Sequence, residues 1–329
     1  MTLTQLRAFV AVATTGSVRA AAERLFVSQP AVSAAVGALQ KELEVPLVTR
    51  QGRGLQLTPS GRVFAGYARQ LLGLLDEATA ATVGTLHPER GRVRLAAVTT
   101  AGEHVLPGFL ATFRAEYPEA GVSLEVGNRA HVWDLLEHRE VDLAFGGRPP
   151  GSGRFATLAT RPNVLVLVAA ASKEPATGGV REVPLDRLRD QVLLLREPGS
   201  GTRSTAEELL DELGISPPTL TLGSNGAIRE SVLVGLGITL ISRDAVAREL
   251  DEGALEEWRV VPDGASGDAV HAVPRHRAWH LVARSGDELD PTARLFLSHL
   301  AQPDGAANAD WFTPVDHAGS PFLPVRSPG

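Results

Sequence analysis

Hydroxyl, amide and guanidinium side chains recur in the second part of the chain, each just after a short apolar segment typical of a buried strand. In open α/β folds, ligands bind outside the carboxyl ends of the strands. Helix N-termini and arginine side chains both favour negative charge there. We therefore predict a small anionic ligand, such as a sugar phosphate. The candidate binding residues are Thr99, Thr100, Asn128, Gly147, Arg148, Ser200, Gly201, Thr202, Arg203, Ser224 and Asn225.

A second set of candidate residues surrounds the run Ser28-Gln-Pro-Ala-Val-Ser33. Gln29 can present a paired donor and acceptor to an adenine edge, and Pro30 can contact a thymine methyl group. Serine hydroxyls and arginine side chains can bind phosphates or bases. These residues suit duplex DNA if the run begins a helix that enters the major groove. The candidate DNA-binding residues are Ser28, Gln29, Pro30, Ser33, Arg50 and Arg53.

Both sets also have a purely structural interpretation, which stays open at this level. Ser28 would then only cap a helix, and Gln29 would be a solvated residue of its first turn. In the same way, Ser200 and Thr202 would only cap the later helix that the sequence predicts over 205–213. Arg148 would pair with an acidic side chain instead of a ligand.

The net charge is distributed unevenly along the chain. The 329 residues carry a formal charge of −6. Residues 1–62 hold seven Lys or Arg and three Glu, a net charge of +4, so the remainder carries −10. A basic module joined to an acidic body can bind a polyanion locally while the whole protein stays in solution.

The sequence lacks the motifs of several chemistries. Cysteine is absent, which excludes disulfides, thiolate metal ligands and a cysteine nucleophile. The run 199–203 lacks the Gly-Lys-Ser/Thr of a nucleotide P-loop, and neither a Gly-x-Ser-x-Gly elbow nor an HExxH motif occurs. We therefore expect no enzyme activity, no cofactor and no metal. No apolar run is long enough for a membrane span and no signal-peptide pattern is present, so we expect a cytoplasmic protein that does not contact membranes.

The first part of the chain has the spacing of a winged helix-turn-helix. Apolar residues at helical spacing are interrupted at Gly16 and Val27, and two β-prone segments flank a glycine-containing turn. A longer apolar pattern follows, which predicts a linker helix that pairs with a second chain. The predicted elements are helices over 3–13, 18–26 and 28–44, strands over 46–50 and 55–58, and a helix from 62 to about 86.

From residue 92 onward, strands and helices alternate, which predicts helices on both faces of mostly parallel sheets. This part is long enough for two subdomains with a cleft between them. The last 29 residues contain five prolines and three glycines, which is typical of a disordered tail. The predicted organisation is a winged helix-turn-helix over 1–60, a dimerising linker over 61–90, a ligand-binding α/β domain over 91–300 and a tail over 301–329.

Many N-terminal residues occur in the order and spacing of one family. They are Leu6–Ala13, Gly16, Ser17, Ala20–Ala22, Leu25, Ser28–Ser33, Leu39, Glu42, Leu43, Pro46, Leu47, Arg50 and Leu57–Gly61. The chain thereby resembles the LysR-type transcriptional regulators, from residue 1 to about residue 300. The resemblance implies an N-terminal all-α winged helix-turn-helix with a linker helix, and a C-terminal α/β periplasmic-binding-protein-like domain of two subdomains. It also implies a homodimer or homotetramer that binds double-stranded DNA, a small-molecule effector and RNA polymerase.

Three runs of the second part are similar to one branch of that family. Asp142–Pro150, Arg196–Arg203 and Leu222–Arg229 resemble the CbbR type, which regulates carbon-fixation operons. One alternative stays open, namely a small-molecule-binding protein or enzyme in which the N-terminal module serves only oligomerisation. Duplex binding that weakens steeply with salt would separate the two.

Overall fold

The computed structural model describes residues 1–52, 54–172, 179–261, 274–301 and 312–315. Among these residues, no helix combines the length and the apolar character needed to cross a lipid bilayer. The N-terminal module contains helices α1 (Leu3–Thr15), α2 (Val18–Leu25) and α3 (Gln29–Leu43), the wing strands β1 (Val48–Gln51) and β2 (Gly54–Leu57), and the linker helix α4 (Pro59–Leu86). The predicted winged helix-turn-helix with its linker helix is therefore confirmed.

Local sequence explains how these helices begin and which face they bury. Ser17 and Ser28 are N-caps, and each side chain accepts a hydrogen bond from the backbone amide three residues later. Val32 and Leu39 on one face of α3 belong to the same buried cluster as Phe9 of α1. The opposite face of α3 is left exposed, which makes it available for contacts outside the module.

The second part of the chain is an α/β domain. Its strands are β3 (Arg92–Val98), β4 (Gly121–Gly127), β5 (Leu143–Gly146), β6 (Phe155–Ala170), β7 (Val180–Pro184), β8 (Leu193–Leu195), β9 (Thr219–Thr221), β10 (Thr239–Ser242), β11 (Leu255–Val261), β12 (Arg275–Arg284) and β13 (Thr313–Pro314). Its helices are α5 (Leu106–Glu116), α6 (Arg129–Glu137), α7 (Leu185–Arg189), α8 (Gly201–Leu213), α9 (Asn225–Leu233), α10 (Ala247–Asp251) and α11 (Pro291–Ala301). A π-helical turn, Ala101–Val105, precedes α5.

Two antiparallel strands, β6 and β12, connect subdomain I (92–160 and 279–301) with subdomain II (164–261). Along one edge, β6 pairs with β12 and then with β11, and along the other with β13 and β10. The expectation of mostly parallel sheets was wrong, because every strand on β6 runs antiparallel to it. Parallel pairs occur away from β6, where β3 pairs with β4 and β5, β7 with β11, and β8 with β9.

Each subdomain has its own apolar core. In subdomain I, Phe113 and Phe296 are fully buried, and their rings meet edge to face with centroids 5.0 Å apart. In subdomain II, Leu167 and Trp258 belong to a separate buried cluster. The two cores are therefore separate clusters, and the crossing strand β6 contributes residues to both.

The linker helix α4 is held to subdomain I by ion pairs. Glu77 accepts hydrogen bonds from Arg139 at 2.8 Å and from Arg284 at 3.0 Å. Gly73 permits this close approach, since a Cβ there would lie 2.6 Å from the backbone oxygen of Arg139. A second set of ion pairs joins Arg69 to Asp134 and Glu140.

One segment of the tail departs from the expectation of disorder. Within residues 312–315, Thr313 and Pro314 pair with β6, and the Phe312 ring lies 5.6 Å from the ring of Phe145 in the subdomain I core. A free strand edge and a buried aromatic ring order this segment, and composition alone reveals neither. Apart from Ala301, which ends α11, the rest of the tail lies outside the described residues.

Candidate functional site

The exposed face of α3 carries the predicted DNA-binding residues of this helix. Ser28, Gln29, Pro30 and Ser33 are all exposed. Ser28 also caps the helix, because its Oγ accepts a hydrogen bond from the Ala31 amide at 3.4 Å. Within the described part of the chain, the side chains of Gln29 and Ser33 make no hydrogen bond. Ser28 therefore has the structural role of a helix cap, while the side chains of Gln29 and Ser33 are available to a partner outside the chain.

The wing adds an exposed cation. β1 and β2 pair from Val48 opposite Leu57 to Gln51 opposite Gly54, so Arg50 lies near the far end of the hairpin. Arg50 is exposed and forms no ion pair with any described residue. The predicted partner residue Arg53 lies outside the described residues.

A cavity of about 570 Å³ lies between the two subdomains. This volume is within the range of small-molecule sites. The ends of β3, β4 and β5 form one wall, the first turn of α8 forms another, and the crossing strands form the base. The predicted residues that line it are Thr99, Thr100, Asn128, Gly147, Arg148, Ser200, Gly201 and Thr202.

Two predicted residues, Arg203 and Ser224, form hydrogen bonds within the protein and do not line the cavity. Arg203 donates a hydrogen bond to the backbone oxygen of Arg196 at 3.0 Å and pairs with Glu207 one turn along α8. Ser224 caps α9, and its Oγ accepts a hydrogen bond from the Ala227 amide at 3.1 Å. Neither residue lines the cavity in this structure.

Asn225 lies next to the cavity and joins the two subdomains. It is 2% exposed, and its Nδ2 donates a hydrogen bond to Thr100 Oγ1 at 2.9 Å. Its Oδ1 accepts a hydrogen bond from Arg196, whose guanidinium also holds Glu197 at 2.7 and 2.9 Å. Burial raises the pKa of Glu197, but the hydrogen bonds from Arg196 outweigh this effect and leave that pKa below its usual value. These four residues form a polar frame, each held by another.

Other lining groups have no such partners. Arg129 donates a hydrogen bond to the backbone oxygen of Arg148 at 2.7 Å, and neither guanidinium forms an ion pair with any residue that the structure describes. Ser200 is the N-cap of α8 but makes no side-chain capping bond. α8 begins at Gly201, four residues before its predicted start at Thr205, so the unpaired amides of its first turn also face the cavity. Two guanidinium groups without a carboxylate partner among the described residues, and one helix N-terminus, thus face the same cavity.

His280 brings a titratable group to the base of the cavity. Burial lowers the pKa of His280, and the positive charge of Arg148 lowers it further. The imidazole is therefore neutral at pH 7, and its protonation depends on the charge that the cavity contains.

The amino-acid sequence alone does not indicate the cavity residues contributed by the crossing strands and by the segment before α8. They are Asn163, Leu165, Arg196, Glu197, Arg277, Ala278, Trp279 and His280. Asn163 pairs with Arg277 across β6 and β12. A local pattern can indicate each of these strands, but it does not show that they pair with each other.

The winged helix-turn-helix, the apolar linker helix and the cleft between two α/β halves define a class, the ligand-responsive DNA-binding regulators. A family model described as a bacterial regulatory helix-turn-helix protein of the lysR family matches residues 3–62. A second model, the LysR substrate binding domain, matches residues 87–303. The chain belongs to the LysR family.

Two curated relatives match nearly the whole chain. The HTH-type transcriptional activator CmpR of Synechocystis sp. is 32% identical over 93% of this chain and 97% of its own length. The HTH-type transcriptional regulator CbbR of Rhodospirillum rubrum is 33% identical over 91% of this chain and 95% of its own length. The chain is thus a transcriptional regulator of the CbbR/CmpR type, as the resemblance implied, which favours this function over the alternative of a module that serves only oligomerisation.

A solved structure is similar to the second part of the chain. The regulatory domain of CcmR from Synechocystis, in complex with 2-PG, is 29% identical, with a TM-score of 0.54. The match covers 63% of this chain and 94% of that one. The second part is therefore an effector-binding domain.

Proposed function

We propose that the chain reads duplex DNA through the exposed end of α3 and the wing, and that a small anionic metabolite in the cavity controls the result. Gln29, Pro30 and Ser33 would contact base edges, and Ser28 would contact a phosphate in addition to capping α3. Arg50, together with Arg53, would bind phosphates beside the wing. The exposure of these side chains and the positive charge of the module support this assignment.

The DNA assignment can be tested with the double variant Gln29→Ala, Arg50→Ala. We expect its affinity for a duplex selected from a random pool by the wild-type protein to fall about 30-fold, since a bidentate base contact contributes about 1–3 kcal/mol and a phosphate contact adds to it. Fluorescence anisotropy over a salt series would also show a shallower salt dependence. Arg248→Ala, which removes an exposed guanidinium from subdomain II, is the control. Unchanged affinity in the double variant would refute the assigned DNA face.

One observation carries the proposal of an anionic effector. Arg129 and Arg148 reach the cavity from subdomain I without a carboxylate partner among the described residues, and Ser200 with the first turn of α8 faces them from subdomain II. Guanidinium groups and helix N-termini bind phosphate and carboxylate groups. An anion held by both walls would bridge the subdomains. The 2-PG complex of the similar CcmR domain supports a metabolite of this kind, and a sugar phosphate is a second candidate.

The effector assignment can be tested by calorimetry with 2-PG and a set of sugar phosphates. Arg148→Ala should weaken binding about tenfold or more, because hydrogen bonds to charged groups contribute about 1.5–3 kcal/mol. Arg248→Ala is again the matched control, since it removes the same kind of side chain away from the cavity. Equal affinities of the wild type and Arg148→Ala for every ligand that binds would refute the site.

The linker helix supports self-association. Large apolar side chains along α4 are exposed, including Val63 and Tyr67 at 64% and Leu71 at 48%. Their spacing along one stripe is that of a helix pairing with another helix. We propose that α4 builds a homodimer, that dimers assemble into tetramers, and that the assembly meets RNA polymerase at its promoter in the cytoplasm.

The effector would act by a shift in conformational population. Closure of the cleft around the anion favours one relative orientation of the two subdomains, which changes the spacing between DNA-binding modules in the oligomer. Small-angle scattering of the protein should therefore change when 2-PG or another binding anion is saturating. An unchanged scattering profile at saturation would contradict this mechanism.

A further inference from the structure

Phe26 is an aromatic residue that the fold does not use. Its exposed fraction is 96%, the highest among the large apolar side chains of the described residues. It lies at the end of α2, two residues before Ser28, with φ 56° and ψ 41°. The left-handed backbone conformation is unfavourable for a residue with a Cβ, and a ring this exposed gains none of the stabilisation that burial of apolar surface provides.

The backbone, not the ring, is what this turn requires. The Phe26 and Val27 amides donate hydrogen bonds to the backbone oxygens of Glu23 and Ala22, which closes the end of α2. Gly16 and Gly214 end α1 and α8 in the same conformation. Glycine or asparagine would satisfy the turn better than phenylalanine, so the ring has no role in the folding of the module.

The position of the ring indicates its partner. Phe26 is at most about 7 Å from Ser28 along the chain, so it borders the exposed end of α3. Arg24, in the last turn of α2, is exposed and forms no ion pair with a described residue. Along α3 the exposed positions after Ser33 include Ala34 and Gly37, which have no polar side chain to read a base. Beside α3, the ring of Phe26 can contact the edge of a base, and the guanidinium of Arg24 can bind a neighbouring phosphate.

We propose that Phe26 is a specificity-determining residue that packs against a thymine methyl group in the major groove, next to the bases contacted by α3. Apolar contact with this methyl group distinguishes thymine from the other bases. The proposal rests on the DNA face proposed above. It implies that each half-site of the operator contains one thymine that is preferred because of Phe26.

The main test is Phe26→Asn, because asparagine tolerates the left-handed backbone. Its matched control is Glu44→Asn, since Glu44 is exposed, ends α3 with φ 55°, and has the same type of turn. On a duplex selected from a random pool by the wild-type protein, we expect Phe26→Asn to bind about tenfold more weakly and Glu44→Asn to stay within twofold. Phe26→Leu, which keeps an apolar contact, should lose less than Phe26→Asn.

The methyl group itself can be removed by replacing single thymines with deoxyuracil. The wild type should lose several-fold in affinity at one thymine of each half-site, and Phe26→Asn should lose nothing further there. Wild-type affinity in Phe26→Asn, or a loss that no deoxyuracil position reproduces, would overturn the proposal. If Gln29→Ala with Arg50→Ala also binds normally, the whole DNA face is wrong. If that variant is weak and Phe26→Asn is normal, only the role of Phe26 is wrong.

Discussion

The DNA-facing surface and the cavity differ in how their polar side chains are held. Gln29 and Ser33 come from one short run, are exposed and have no partner among the described residues. In the cavity, residues from strands and helices far apart in the chain meet, and Thr100, Arg196 and Asn225 hold one another. The first surface is completed only by its partner molecule, whereas much of the second is built before any ligand arrives. Substitutions should therefore affect binding alone at the first and stability as well at the second.

The largest loss of stability at the cavity is expected from Arg196→Ala. The change leaves Glu197 without its cation and the buried Asn225 Oδ1 without its donor, which should cost about 3 kcal/mol of unfolding free energy. All four tryptophans follow residue 91, so fluorescence during urea unfolding reports on this domain. Gln29→Ala, on the DNA-facing surface, should change the unfolding free energy of the N-terminal module, followed by circular dichroism, by less than about 0.5 kcal/mol. Equal losses of unfolding free energy in the two variants would show that the two surfaces do not differ in how they contribute to stability.

A smaller loss of stability is expected from Thr100→Val. This variant compares cavity residues that are held by a partner with cavity residues that are not. Valine has nearly the same shape but gives Asn225 Nδ2 no acceptor, which should cost about 1 kcal/mol of unfolding free energy. The control is Thr202→Val, because Thr202 lines the same cavity and its hydroxyl has no partner among the described residues. Urea unfolding should therefore show a clear loss in the first variant and almost none in the second. The reverse order would mean that the frame does not hold the subdomains together.

The smallest effect concerns pH and His280. Its pKa is low in the free protein, so a bound anion would raise that pKa and binding would take up protons. Affinity for an anion of constant charge should therefore increase as the pH falls from 7.5 to 6, by about two- to threefold. Calorimetry with a sugar sulfate would measure this, and His280→Asn should abolish it. A pH-independent affinity in the wild type would show that His280 does not sense the ligand.

The amino-acid sequence predicts the N-terminal module well because its determinants are local. Ser28 caps α3 through an amide three residues away, and Gly16 ends α1 through its own backbone. The cavity is only partly predictable in this way. Residues at strand ends, such as Thr100 and Arg148, follow from the alternation of strands and helices, since ligands bind at those ends.

The remaining cavity residues depend on contacts that no local pattern contains. His280 and Arg277 reach the base of the cavity only because β12 pairs with β6 in a particular register. The sequence predicts the start of α8 four residues too late because glycine at 201 is a weak helix former, while the neighbouring Ser200 supplies the cap position. The strand at 312–315 needs the free edge of β6, which only the assembled sheet provides.

The attachment of α4 has a consequence for how movement reaches the DNA. Its ion pairs within the described residues, through Arg69 and Glu77, all go to subdomain I. In the dimer that we propose on α4, subdomain I would therefore stay fixed to the dimer, and subdomain II would be the half that moves when an effector binds. In an oligomer, a neighbouring copy that touches subdomain II would move with it. The distance from that contact to the neighbour's own α3 would then set how far this DNA-facing helix is displaced.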